Sequence, residues 1–237
     1  MRSLGCERSV DVADGRVEAG DLFTTATWRS HSAPAAADET YPGLRPTGSW
    51  VLHPGGELRG LDPDGAGWRD RDTGEPIDLT GRRLVLAYGS NAATAKLLDR
   101  EAKYGFFGGE PVIALRAAVF GWAAVWCDAR RHDGKVVATL EPVPERAEVH
   151  PVLALTRDQL DAMDSWEGHP RFYCRTALEA RVQWESGRWA EEDIEVYLGT
   201  AEERPVLVLD GYPALLAQTG YDEVDEEVDR NVRRGRR

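Results

Sequence analysis

Residues 82–91 read RRLVLAYGSN. Leu84, Val85 and Leu86 have the composition of a buried strand, and the run ends in a tyrosine, a glycine and two small polar residues with no lysine or acid directly after them. Turn formers of this kind carry a strand into a tight loop whose backbone N–H groups point outward, which is the raw material of an anion cradle. The next stretch, NAATAKLLDREAKYG over 91–105, has the composition of a helix closed by Gly105. A strand, a loop and a helix therefore follow one another from Arg82.

Downstream, VIALRAAVFGWAAVWC and KVVATLEPV flank DARRHDG, whose Asp133-Gly134 pair is a turn signal, so they read as two strands of a hairpin or meander. EVHPVLAL over 148–155 is expected to be a further strand. Thr156 is a fitting N-cap for a short helix carrying Leu160 and Met163 at helical spacing and stopping at Gly168. FYCRTALEARVQW and EEDIEVYLG read as another antiparallel pair, and YPALLAQTGYDEVDEEVDRNV as a C-terminal helical tail broken near Gly220. Runs of strands with two or three helices indicate an α+β fold, a small and mainly antiparallel β-barrel or curved sheet. Residues 1–80 are expected to be an N-terminal extension. Residues 1–47 show no sustained period, and 48–80 are rich in turn formers around GSWVLH, leaving room for a short hairpin at most. The domain proper is expected over 81–237.

The chain has 237 residues, 42% of them apolar, which is ample for a core. Its formal charge of -12 repels nucleic acid, and the basic tail RNVRRGRR is too short to reverse that, so no nucleic-acid partner is expected. No apolar run approaches the ~20 residues of a membrane span. The N-terminus lacks the apolar stretch of a secretory signal, so a cytoplasmic protein with no membrane partner is expected. Cys6, Cys127 and Cys174 read as plain thiols. The histidines lack metal-ligand spacing, so neither metal nor cofactor is expected.

Two stretches stand out together, YGSN at 88–91 and DSWEGHPRFY at 164–173. In this order, with strand-rich sequence between them, they resemble the γ-glutamylcyclotransferase-like family, in which a small β-barrel carries a YGSN-type loop and a carboxylate in a DxxEGxPxxY-type stretch. The resemblance covers roughly residues 82–200, about half the chain, on Tyr88, Gly89, Ser90, Asn91, Asp164, Glu167, Gly168, Pro170 and Tyr173. It implies an enzyme that cuts a small-molecule γ-glutamyl amide: the glutamyl α-amine attacks its own side-chain carbonyl, releasing 5-oxoproline and a free amine. Glu167 would then shuttle the proton, while Tyr88, Gly89, Ser90 and Asn91 would bind substrate, the backbone N–H groups from Gly89 to Asn91 holding its α-carboxylate. Tyr173 and Tyr197 resemble pocket-lining positions and could equally be core tyrosines. Trp166 and Phe172 are apolar neighbours able to raise the pKa of Glu167.

One departure concerns His150 and Pro151, where the family usually has a glycine; they would narrow the pocket or mark an edge strand. A Cys174/His169 nucleophile lacks an orienting third group. The competing reading is a non-catalytic small-ligand-binding or interaction module on the same fold. The sequence leaves open the particular γ-glutamyl compound and the oligomeric state.

Overall fold

A computed structural model of the chain describes residues 10–11, 41–43 and 45–234. Most of the segment 1–47 thus lies outside the described residues. The strands are β1 (Val10–Asp11), β2 (Ser49–Leu52), β3 (Leu58–Asp64), β4 (Gly67–Asp70), β5 (Arg83–Leu86), β6 (Val112–Arg130), β7 (Val136–Leu155), β8 (Tyr173–Ala177), β9 (Arg181–Trp184), β10 (Ile194–Gly199), β11 (Val208–Leu209) and β12 (Tyr212–Pro213). The α-helices are α1 (Thr94–Tyr104), α2 (Arg157–Glu167) and α3 (Tyr221–Arg233).

Ten strands form one sheet in the order β4-β3-β2-β6-β7-β5-β10-β8, with β1 added to β7 and β9 to β6, while β11 and β12 pair separately. Every pairing in it is antiparallel except β5 with β10, where Leu84, Val85 and Leu86 run parallel to Ile194, Glu195 and Val196. The α+β class expected from sequence is the one observed. The sheet is open, however, with β4 and β8 at its two ends instead of a closed barrel.

Strand β2, the start of β6 and the end of β7 are buried on both faces, and there the sequence reads as near-continuous apolar runs. Along β5 and the residues after it, Val85 and Ala87 join a cluster with Leu97 of α1 and Leu160 and Met163 of α2. Leu86 and Tyr88 join a second cluster on the other face with Leu115, Val152 and Val196. α2 begins as expected at Thr156, whose side chain accepts from the backbone of Gln159 while Gln159 reaches back to the N-cap N–H.

Several boundaries differ from the sequence reading. Residues 49–70 supply three strands of the main sheet, and Trp50 is fully buried with its neighbours paired to β6. The boundary expected at residue 80 therefore cuts through one packing unit. KVVATLEPV and EVHPVLAL are a single strand, β7, whose long pairing with β6 absorbs a register shift between Phe120 and Trp122. Gly121 sits at that shift with φ 78°, a left-handed value open to glycine. FYCRTALEARVQW divides into β8 and β9, which pair with different strands, β10 and β6. The expected C-terminal helix is confined to α3, because residues 212–219 run as an irregular edge along β6: Trp126 N–H donates to Ala214 O and Leu216 N–H to Ala124 O, both at 2.8–2.9 Å. No helix among the described residues is long and apolar enough to cross a membrane.

Candidate active site

The parallel strands β5 and β10 both end at one cavity of about 600 Å³, walled also by α1, the tip of the β6–β7 hairpin and the C-terminal end of α2. Pro151 helps to create it. Ala87 N–H donates to Pro151 O at 2.9 Å, but proline has no N–H to return, and the β5–β7 ladder stops at Leu86 and Val152. The chain leaves the sheet there and becomes the YGSN loop. Since β7 lies between β6 and β5, Pro151 ends a ladder inside the sheet, which corrects the edge-strand alternative. His150 is buried, with Nε2 at 2.9 Å from Glu148 Oε2.

Ser90–Ala92 form a single 3₁₀ turn in which Ala92 N–H donates to Gly89 O and Ala93 N–H to Ser90 O. Among the described residues, the N–H groups of Gly89, Ser90 and Asn91 have no acceptor, as befits the first residues of a helical turn. Gly89 has φ -105°, so its role does not come from a left-handed backbone. A Cβ there would lie 2.8 Å from the Tyr41 hydroxyl, which is itself pinned by Ala138 N–H at 3.1 Å. Gly89→Ala should therefore raise KM for a γ-glutamyl substrate, and adding Tyr41→Phe should restore part of the loss; equal kinetics for all three proteins would reduce the loop to a strand terminator.

Glu167 closes α2 beside this loop. Gly168 follows at φ 64° and ends the helix, and any Cβ on it would meet the Phe172 ring at 2.5 Å. The helix end is tied down by Asp164, which accepts from Arg175 Nε at 2.9 Å, Arg175 Nη2 at 3.0 Å and Tyr197 Oη at 2.6 Å. Burial would raise the Asp164 pKa, but these donors outweigh it and hold the carboxyl below its usual range. The Glu167 carboxyl lies on the cavity wall. Asn91 Nδ2 donates to its Oε1 at 2.8 Å, and Trp166 Nε1 donates to the same oxygen at 3.1 Å. Oε2 has no donor among the described residues. Desolvation raises the Glu167 pKa, opposed by the Asn91 hydrogen bond, the Arg100 charge and the Trp166 hydrogen bond. Trp166 thus acts on the carboxyl through its N–H as well as by burial.

The three tyrosines line the cavity with their hydroxyls already engaged. Tyr88 donates to Tyr197 O, Tyr173 to Ala138 O at 2.9 Å and Tyr197 to Asp164 at 2.6 Å. Burial pushes all three pKa values up, keeping them neutral donors. The wall they form is therefore apolar ring, not free hydroxyl. Cys174 is exposed and His169 Nδ1 accepts Arg175 N–H at 3.1 Å, so the two make no nucleophilic pair. Burial lifts the Cys127 thiol to about 12.

Four contributors carry no local sequence signal. Tyr41 and Arg45 come from the segment before β2. Arg45 Nη2 donates to Tyr88 O at 2.6 Å and Gly89 O at 3.4 Å, while Nη1 lies 3.5 Å from His150 Nδ1. Charge-assisted bonds of this kind are worth ~1.5–3 kcal/mol, so Arg45→Ala should speed exchange of the Ala92 and Ala93 amides, which donate to Gly89 O and Ser90 O, by about tenfold or more, read by NMR; unaltered exchange would show the loop to hold itself. Arg100 and Arg204, from α1 and the turn after β10, also line the cavity.

No family model and no curated protein matches this chain. Solved structures similar to parts of it include a γ-glutamyl cyclotransferase, at 18% identity and TM-score 0.40 over 50% of this chain and 67% of that one. An AIG2-like protein from Mus musculus matches at 20% identity and TM-score 0.37 over 52% of this chain and 80% of its own. A yeast γ-glutamyl cyclotransferase specific to glutathione matches at 12% identity and TM-score 0.38 over 65% and 88%. Likeness this low carries no argument about activity, which rests on the site.

Proposed function

We propose that the protein cleaves a γ-glutamyl amide of a small molecule by intramolecular attack, releasing 5-oxoproline and a free amine. One observation carries this reading: Glu167, a carboxyl of raised pKa, lies on the wall of a cavity with Oε1 fixed by two donors and Oε2 left for proton transfer, next to the N–H groups of residues 89–91, which have no acceptor among the described residues. In the reaction the glutamyl α-ammonium gives a proton to Glu167. Its nitrogen then bonds to the γ-carbonyl carbon, and the bond from that carbon to the amine nitrogen breaks. Two protons leave the α-nitrogen in all and both reach the departing nitrogen, one carboxyl serving as base and then as acid. A raised pKa suits the second task, because a more basic carboxylate becomes a usable acid nearer neutral pH. Binding the glutamyl chain folded for ring closure supplies acceleration through orientation. The nucleophile belongs to the substrate, so the chemistry requires no metal, cofactor or nucleophilic side chain. The N–H groups of residues 89–91 serve as the α-carboxylate cradle.

A panel of γ-glutamyl amines and dipeptides scored for 5-oxoproline tests the reading. Release from at least one of them is expected. Binding across the panel without any release would make the protein a binding module.

A further inference from the structure

We propose that Arg100 and Arg204 form a second anion subsite in the cavity, selecting γ-glutamyl amides whose amine half carries two negative charges, as in a phosphate monoester or a dicarboxylate. The proposal deepens the cyclotransferase reading and rests on it.

The first observation is a local inversion of charge. The whole chain has a net charge of -12, yet the cavity is lined by Lys96, Arg100, Lys103, Arg130, Arg131 and Arg204. Arg130 is neutralised from outside by Asp225 at 2.5 Å and Asp229 at 2.7 Å. Glu203, an acid on the wall, is taken by Arg171 at 2.7 Å. The remaining five cations face Asp99, Asp133 and Glu167 alone, an excess of two positive charges.

Pairing then shows where the excess resides. Arg131 is bound to Asp133. Lys96 and Lys103 share Asp99 at 3.8 and 2.8 Å. Arg100 and Arg204 make no ion pair among the described residues, and the Nε of each is buried without a hydrogen-bond partner. Arg204 is only 7% exposed, and its Nη1 donates to the Glu203 carbonyl at 2.7 Å. A guanidinium cannot shed its proton to escape this situation, and burying a cation without its anion is costly. The mutual repulsion is visible at Lys96, whose pKa is pushed down by burial and then by Arg100 and Arg131.

Their placement fits oxyanion recognition. Arg100 stacks 4.9 Å from the centroid of Trp166, the residue whose N–H holds Glu167, and Arg204 stacks 4.9 Å from Phe172 and 5.7 Å from Tyr173. A guanidinium lying on a ring face keeps its N–H edge for a carboxylate or phosphate. The glutamyl half of the substrate is a zwitterion of zero net charge, so the two excess charges fall to the amine half.

The test is a charge series of γ-glutamyl amides made from 1,4-diaminobutane, ethanolamine, glycine, aspartate and phosphoethanolamine. Calorimetry with Glu167→Gln reports binding, and 5-oxoproline release by the unaltered protein reports turnover. From the ethanolamine amide to the dianionic amides, affinity should rise about 10- to 100-fold, and the aspartate and phosphoethanolamine arms separate carboxylate from phosphate. Arg100→Met and Arg204→Met should each remove most of that rise, and Arg204→Lys should keep part of it. A flat or reversed series overturns the subsite. So does a series kept intact in either Met variant that unfolds at the temperature of the unaltered protein; if Arg204→Met does not fold, Arg100→Met decides. A rising series without 5-oxoproline from any amide would keep the subsite and sink the cyclotransferase reading, and 5-oxoproline release indifferent to charge would do the reverse.

Discussion

Glu167→Gln should lower 5-oxoproline release ~10²–10⁴-fold or more while leaving affinity for γ-glutamyl amides nearly unchanged. The reason lies in which oxygen is held. Asn91 and Trp166 both donate to Oε1, and a glutamine Oε1 can accept both in the same geometry, as the weaker bonds of a neutral amide. Only the second oxygen becomes an NH₂ group that can take no proton. The same variant carries a second signature, in stability. Burial raises the folded-state pKa of Glu167 above its unfolded value, so the native protein binds a proton there more tightly than the unfolded chain does. That contribution is fully present below the unfolded pKa and is lost as pH rises through the folded one. The Gln variant has nothing to lose, so it should be at least as stable as the parent at neutral pH, with the difference shrinking as pH falls into the carboxylate range. Wild-type turnover by the Gln variant would end the proposed mechanism. A Gln variant less stable at neutral pH than at acid pH, relative to the parent, would contradict the burial of the carboxyl.

The second large effect is expected from deleting the residues before Gly67. Such a chain should lose its cooperative thermal transition and aggregate. β2 lies between β3 and β6, and its side chains alternate between both cores: Trp50 and Leu52 pack on the helix side, Val51 on the other with Leu61 of β3. Trp→Ala substitution at a fully buried site costs ~3–5 kcal/mol, against a total of ~5–15 kcal/mol for a whole domain. Deletion removes several such residues at once and bares the edge of β6. A soluble truncated chain with a sharp transition would restore the boundary near residue 80. Trp50→Ala in the full chain, read by the fall in its thermal midpoint, makes the same point without exposing an edge.

Local signals were legible where a short stretch carries its own physics. Thr156 and Gly168 bracket α2, and Asp133-Gly134 turns β6 into β7, each within a few residues of its partner. β2 through β4 escaped because their turn-rich sequence resembles loop, and what makes Trp50 a core residue is Ala114, 64 positions away. The site divides in the same manner. Glu167, Asn91 and the 88–91 loop, each inside a short motif, meet at the cavity, whereas nothing near Tyr41, Arg100 or Arg204 announces that these residues line it, or near Arg45 that it holds the loop. The engagement of the Tyr88, Tyr173 and Tyr197 hydroxyls depends on carbonyls and a carboxylate from other elements, which no spacing encodes.

The parallel pairing of β5 with β10 has a consequence for the order in which the molecule is built. β5 is complete at Leu86, but its neighbour begins only at Ile194, so a chain growing from its N-terminus carries β5 with one side unpaired through the making of α1, β6, β7 and α2. Arg204 is later still. The cavity therefore has no wall on that side until synthesis is almost finished, and the unpaired flank of β5 is open to misplaced strands throughout that interval. Chains halted before residue 194 should be the form most dependent on chaperones.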